Sequence, residues 1–147
     1  MQENSAPVPY GLFVNGHYMP ISHQIYNAQS KSLAQLASRS DCVIIGRCAE
    51  HILKDKANLI NVFVYAEKDS RIERIMTDEK VNIEKAIELI EEYDHARAEY
   101  HDYFTHTEWG KMENYDITLN SSKGIDLCVE TLYAYVKSLQ QTCPISK

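Results

Sequence analysis

Apolar residues change their spacing several times along this chain, and each change marks an expected element. Leu12-Phe-Val14 and His17-Tyr-Met19 flank Asn15-Gly16, a dipeptide whose two residues tolerate positive φ, so a small hairpin is expected there. Helical spacing then sets in with Ile25, Leu33, Leu36 and Ala37, with Ser22 as N-cap and an end near Ser40. Gln29 interrupts that apolar face, either as an ordinary surface glutamine or as a side chain turned into a pocket.

Two nearly continuous β-branched runs follow, at residues 43–45 and 62–65, and a third candidate strand lies at residues 117–119. Such runs suit strands buried on both faces, so one parallel sheet covered by helices on each side is expected. In open parallel sheets ligands bind beyond the carboxyl ends of the strands, where Gly46-Arg47 falls, making Arg47 a candidate anion clamp. After residues 59–65, Asp69 is expected to cap a helix carrying Arg71 and Arg74. These arginines share a face, while Ile72, Ile75 and Met76 supply the buried side. Two readings stand side by side: solvated arginines paired with Glu73, Asp78 or Glu79, or arginines that project towards phosphates.

Asn82 is expected to cap a long helix with Ile83, Ile87, Leu89, Ile90 and Tyr93 on its apolar side and Glu84, Glu88, Glu91 and Glu92 outside. Arg97 sits one turn after Asp94, and a carboxylate there can hold a guanidinium in one orientation for bidentate contact with a phosphate. Tyr100, Tyr103, Phe104 and Trp109 fit helix packing as well as a base-stacking wall. His95, His101 and His106 have a spacing that does not stack them on one helix face, so they read as a solvated set rather than metal ligands. Past the third strand, Asn120-Ser-Ser-Lys-Gly124 forms a loop, and a helix from Ile125 carries Cys128, Leu132, Val136 and Leu139, with Pro144 beyond its end.

Composition narrows the class. A chain of 147 residues with 44% hydrophobic residues can build one modest domain. It has no apolar run long enough for a membrane span, and its polar, proline-containing start lacks the basic and apolar regions of a signal peptide, so a cytoplasmic protein without membrane contact is expected. A formal charge of −6 gives no basic footprint for nucleic acid, while a few arginines can still bind small phosphates. Cys42, Cys48, Cys128 and Cys143 form no Cys-x-x-Cys pair and are expected to be reduced and mostly buried, without a metal.

Taken as an ordered set, several of these segments resemble the cytidylate-kinase-like branch of the P-loop nucleoside monophosphate kinases. The matching pieces are Val-Ile-Ile-Gly-Arg47-Cys-Ala, Asn-Val-Phe-Val-Tyr-Ala with Arg71-Ile-Glu-Arg74-Ile, Asp94-x-x-Arg97-Ala-x-Tyr100 with Tyr103 and Trp109-Gly110, and the run from Tyr115 to Asp126. The likeness covers roughly residues 21–139. It implies an α/β, partial P-loop NTPase-like three-layer fold with a parallel sheet, in which residues 1–20 are a polar tail and hairpin and residues 78–112 a helical lid on a single domain. It further implies ATP-dependent phosphorylation of a nucleoside monophosphate, with ATP and Mg²⁺ as the family's cofactors. On this resemblance Arg97 is the catalytic candidate; Arg47, Arg71, Arg74, Asp94 and Arg97 bind substrate; and Ser121, Ser122, Lys123 and Gly124 lie at the ATP base.

One departure dominates. The family opens with a strand, a glycine-rich phosphate loop and a helix, and this sequence holds no such loop; Gly11-Leu-Phe-Val-Asn-Gly16 has the glycine spacing but is followed by His-Tyr instead of Lys-Ser/Thr. The expectation is an amino-truncated kinase that is inactive alone. The alternatives are a non-catalytic nucleotide- or anion-binding module, or a structural subunit that forms a homo-oligomer or pairs with another chain through the exposed sheet edge.

Overall fold

The computed structural model describes residues 11–14, 17–56 and 58–142. The expected polar tail at 1–9, the Asn15-Gly16 turn, Cys143 and Pro144 lie outside them. The chain divides into two compact units, Met1–Lys54 and Asp55–Lys147.

In the first unit, strands β1 (Gly11–Val14) and β2 (His17–Pro20) pair antiparallel with Val14 opposite His17, as the hairpin pattern predicts. Helix α1 (Ile21–Ala37) follows at once. Ser22 is not its cap: Pro20 occupies that position with φ −56° and ψ 149°, and no side chain caps the helix. The fixed φ of proline and its missing N–H suit a helix entrance, which moves the start ahead of Ser22. A short helix α2 (Ala49–Ile52) packs on α1, and Cys48, Ala49 and Leu53 are buried there.

Residues 42–46 do not form the expected strand. They join no ladder among the described residues, and Val43 and Ile45 are 93% and 90% exposed. A β-branched run becomes a strand only where a neighbour satisfies its backbone groups, and the two strands of this unit are already paired with each other. Gly46, Arg47 and Cys48 then take successive left-handed φ values of 69°, 61° and 53°. For the two non-glycine residues this conformation costs about 1–2 kcal/mol each.

The second unit is built on a two-stranded parallel sheet. Strand β3 (Val62–Tyr65) pairs with β4 (Ile117–Asn120) in the register Val62 opposite Ile117 and Val64 opposite Leu119. Asn61 and Asp116 lock the start of the ladder: the Asn61 N–H donates to Asp116 Oδ2 at 2.6 Å, and the Asp116 N–H donates to the Asn61 carbonyl at 2.8 Å. Parallel strands need a long crossover, here helices α3 (Lys68–Glu79) and α4 (Ile83–Thr105). Both expected strands of this unit are therefore present and parallel.

Glu67, not Asp69, is the N-cap residue of α3; Asp69 lies in the first turn, where its charge complements the helix dipole. Asn82 caps α4 as expected, its Oδ1 accepting from the Lys85 N–H at 3.0 Å. Between the two helices Ile72, Ala86 and Ile90 form a buried cluster, with Ile75, Met76, Val81 and Ile87 against it. Helix α5 (Ile125–Thr142) completes the unit. No described helix is long and apolar enough to cross a membrane.

Gly110 seats the segment after α4 on the sheet. Its φ is +77°, and a Cβ there would lie 3.2 Å from the tip of the Phe63 ring, which also meets Trp109 edge-on at 5.7 Å and Tyr115 at 4.9 Å. Gly110→Ala is expected to lower unfolding stability by about 1–3 kcal/mol, through left-handed strain and overpacking. A urea midpoint unchanged from wild type would contradict this.

Candidate phosphate-binding site

Tyr65 ends β3, and α3 begins three residues later, so Arg71 stands one turn into that helix, its N–H on the Glu67 carbonyl at 3.1 Å. The position lies just beyond the carboxyl end of a parallel strand, where such sheets bind ligands. Helix α4 returns along α3 and carries Asp94, one turn after buried Ile90.

Arg71 and Asp94 form a two-pronged pair. Arg71 Nη1 donates to Asp94 Oδ2 and Nη2 to Oδ1, both at 2.7 Å, with the side chains 28% and 31% exposed. The hydrogen bond to the carboxylate raises the Arg71 pKa above its ordinary value, against the opposing effect of burial. Arg97 Nη1 approaches the same Oδ1 at 3.5 Å, and its guanidinium lies 5.8 Å from the centre of the Tyr93 ring. Helical spacing alone points from Asp94 to Arg97. The geometry gives Asp94 first to Arg71, because fork-to-fork contact across two packed helices is shorter and better aligned than the contact within α4. Arg71 thus pairs with none of Glu73, Asp78 or Glu79. Arg74 is exposed and has no ion-pair partner among the described residues.

The β4 loop lies beside the start of α3. Ser121 Oγ donates to the Tyr65 carbonyl at 3.0 Å, Ser122 Oγ accepts from the Glu67 N–H at 2.7 Å, and Lys123 Nζ meets Glu67 Oε1 at 3.0 Å. Asn120 Nδ2 also reaches Glu67 Oε1, at 3.3 Å, and Gly124 ends the short 3₁₀ turn Ser121–Lys123 with φ 123°. The hydrogen bond from Lys123, then that from Asn120, lowers the Glu67 pKa. These side chains brace the loop against the β3–α3 connection. Glu67 has no motif to announce it; its role follows from pairing with residues more than fifty positions away.

In the first unit, Arg47 is exposed and lines an open hollow of about 280 Å³ with Ala28, Gln29, Ser32 and Leu33. Gln29 therefore borders this open hollow.

His101 is buried, not solvated. Its Nδ1 lies 3.0 Å from the Thr107 carbonyl, to which it can donate, and 3.3 Å from Thr105 Oγ1. Asp102 Oδ1 accepts from the Trp109 N–H at 2.9 Å, so consecutive residues of α4 hold the segment that leads to Gly110. His95 is exposed and 3.7 Å from Glu99. Tyr100 and Phe104 pack at 4.8 Å, as do Tyr103 and Phe104 at 4.9 Å, so these rings meet one another. Among the three described cysteines only Cys48 is fully buried; Cys128 is half-buried and Cys42 exposed, and all three are free. Burial, with a smaller contribution from the Glu50 charge, pushes the Cys48 thiol up to about 11. Among the described residues no three His, Cys, Asp or Glu side chains are grouped to hold a metal ion.

A parallel strand pair followed by a helical hairpin that brings Arg71 and Arg97 to one carboxylate defines a mixed α/β protein. The chain belongs to the cytidylate kinase-like family, whose model matches residues 2–123. It is also similar to a crystal structure of an uncharacterized protein from Eubacterium ventriosum ATCC 27560, with 30% identity and a TM-score of 0.76 over 80% of this chain and 75% of that one. No curated protein matches.

Proposed function

We propose that this chain binds phosphate esters as a P-loop-kinase-like domain, with nucleoside monophosphates as its ligand class. The observation that carries this reading is the convergence of Arg71 and Arg97 on one carboxylate oxygen beyond the carboxyl end of β3. Two guanidinium groups within reach of one oxygen offer several N–H donors to a phosphate. Family membership supports the ligand class, and in the first unit Arg47 beside Gln29 offers a contact for a monophosphate.

The residues present do not fit ATP with Mg²⁺. Among the described residues no group of three or more His, Cys, Asp or Glu could hold a metal ion, and no lysine follows a glycine loop in the sequence. Phosphoryl transfer is therefore the reaction of the family, whereas this chain by itself binds.

Titration calorimetry with cytidine, adenosine and uridine monophosphates tests the reading. Arg97→Ala is expected to weaken the tightest of them by about 1.5–3 kcal/mol, the range for hydrogen bonds to charged groups. Equal affinity in wild type and variant, with binding detected in both, would remove Arg97 from the site. Failure of every monophosphate to bind wild type would remove the function.

A further inference from the structure

The two prongs of Arg71 are already filled. Asp94 gives Arg71 a planar, two-oxygen, negatively charged face at 2.7 Å through both Nη atoms, the arrangement in which arginine also takes a phosphate. Arg97 differs: it is 58% exposed, and its 3.5 Å approach to Asp94 Oδ1 is long for a charge-assisted bond. One carboxylate thus holds one arginine tightly and a second loosely.

From this we infer that Asp94 is an internal competitor, occupying Arg71 until a phosphate oxyanion displaces it. The inference rests on the anion-binding reading above and assigns Asp94 a role opposite to that of a strut that presents arginine to ligand. The charges favour displacement. Asp94 with Arg71 and Arg97 sums to one positive charge, so a phosphate dianion added beside the carboxylate would leave two anions competing for the same two cations. When Asp94 swings out to water, the dianion and the two arginines balance. Solvent is close at hand, since the Asp94 side chain is 31% exposed. The exchange breaks no covalent bond and moves no proton. It also has a mechanical side: the Arg71–Asp94 pair ties α3 to α4, so an oxyanion that replaces it unties the polar edge of the hairpin, while the Ile72, Ala86 and Ile90 contact persists. Arg97 makes the first contact with the ligand and Arg71 the second.

A competitor and a strut predict opposite signs. Inorganic pyrophosphate is titrated calorimetrically into the full chain as wild type, Asp94→Asn, Asp94→Glu and Arg97→Ala. Removal of the charge is expected to tighten binding at least tenfold in Asp94→Asn. Asp94→Glu, which keeps the charge, is expected to stay weaker than the amide variant. Asp94→Ser supplies the same comparison if the amide variant does not fold, with circular dichroism checking each protein.

Binding by Asp94→Asn that equals or falls below wild type overturns the competitor role, and the anion site itself stands if Arg97→Ala then loses affinity. Absence of pyrophosphate binding in wild type and all variants overturns both. Binding seen only after the charge is removed is the strongest form of the expected result.

Discussion

No phosphoryl group is expected to pass from ATP to any nucleoside monophosphate when the 147-residue chain is the only protein in the assay. Transfer of this kind relies on positioning and on neutralising phosphate charge through loop N–H groups, a lysine and a metal ion. The sequence has no Gly-x-x-x-x-Gly-Lys-Ser/Thr. Its nearest glycine spacing, Gly11 to Gly16, begins on β1, whose chain continuation pairs with it as antiparallel β2, and is followed by His-Tyr instead of Lys-Ser/Thr. Loss of one preorganised donor at a reacting oxyanion costs about 10²–10³ in rate, so loss of a whole cradle should take turnover below detection. Coupled detection of ADP with each monophosphate in turn measures it. Turnover proportional to chain concentration across independent preparations would refute the expectation and turn attention to Gly11 and Gly16.

The second large effect is on stability. Ile90→Ala is expected to destabilise the second unit by about 2–5 kcal/mol, the cost of emptying a buried aliphatic site. Ile90 is 8% exposed, and its partner Ala86, at 0%, has no atoms to swing into the gap. Against a total stability of about 5–15 kcal/mol, that loss is a large fraction of what holds a domain together. The same substitution should reach the arginines, because Asp94 lies one turn beyond Ile90 and Arg71 precedes Ile72. Phosphate affinity should fall together with the denaturation midpoint. Val43→Thr is the matched control: at 93% exposure its change should stay within about 0.5 kcal/mol. A cost below about 1 kcal/mol for Ile90→Ala would mean that the cluster is not the core of the hairpin.

What the sequence disclosed depended on how far apart the interacting residues lie. Asn82 was legible because a cap acts on its own helix, three residues away. The parallel pairing of β3 and β4 was legible too, since continuous apolar runs separated by helical spacing leave few other arrangements. The same rule misread residues 42–46, whose apolar pattern matches a buried strand although Val43 and Ile45 lie open to solvent. Period and composition describe what a segment could join, while a strand also needs a neighbour. At the candidate site, spacing pointed from Asp94 to Arg97 within α4. The partner with the better geometry, Arg71, is 23 residues away on another helix, and only the packing of α3 on α4 brings it there. His101 was hidden in part for the same reason: the Thr107 carbonyl that its Nδ1 reaches lies on the turn that follows α4, off the helical period.

The order in which these contacts can form follows from chain length between partners. Three residues, 80–82, separate α3 from α4, whereas the β3–β4 ladder joins positions 55 apart, such as Asn61 and Asp116. Closing the longer loop costs about 2–3 kcal/mol more in chain entropy. The helical hairpin is therefore the local event and the sheet the distant one, which makes hairpin assembly the faster step. Arg71 and Asp94, 23 residues apart, can meet while Val62 and Ile117 are still apart, so the contact that ties α3 to α4 does not wait for the sheet.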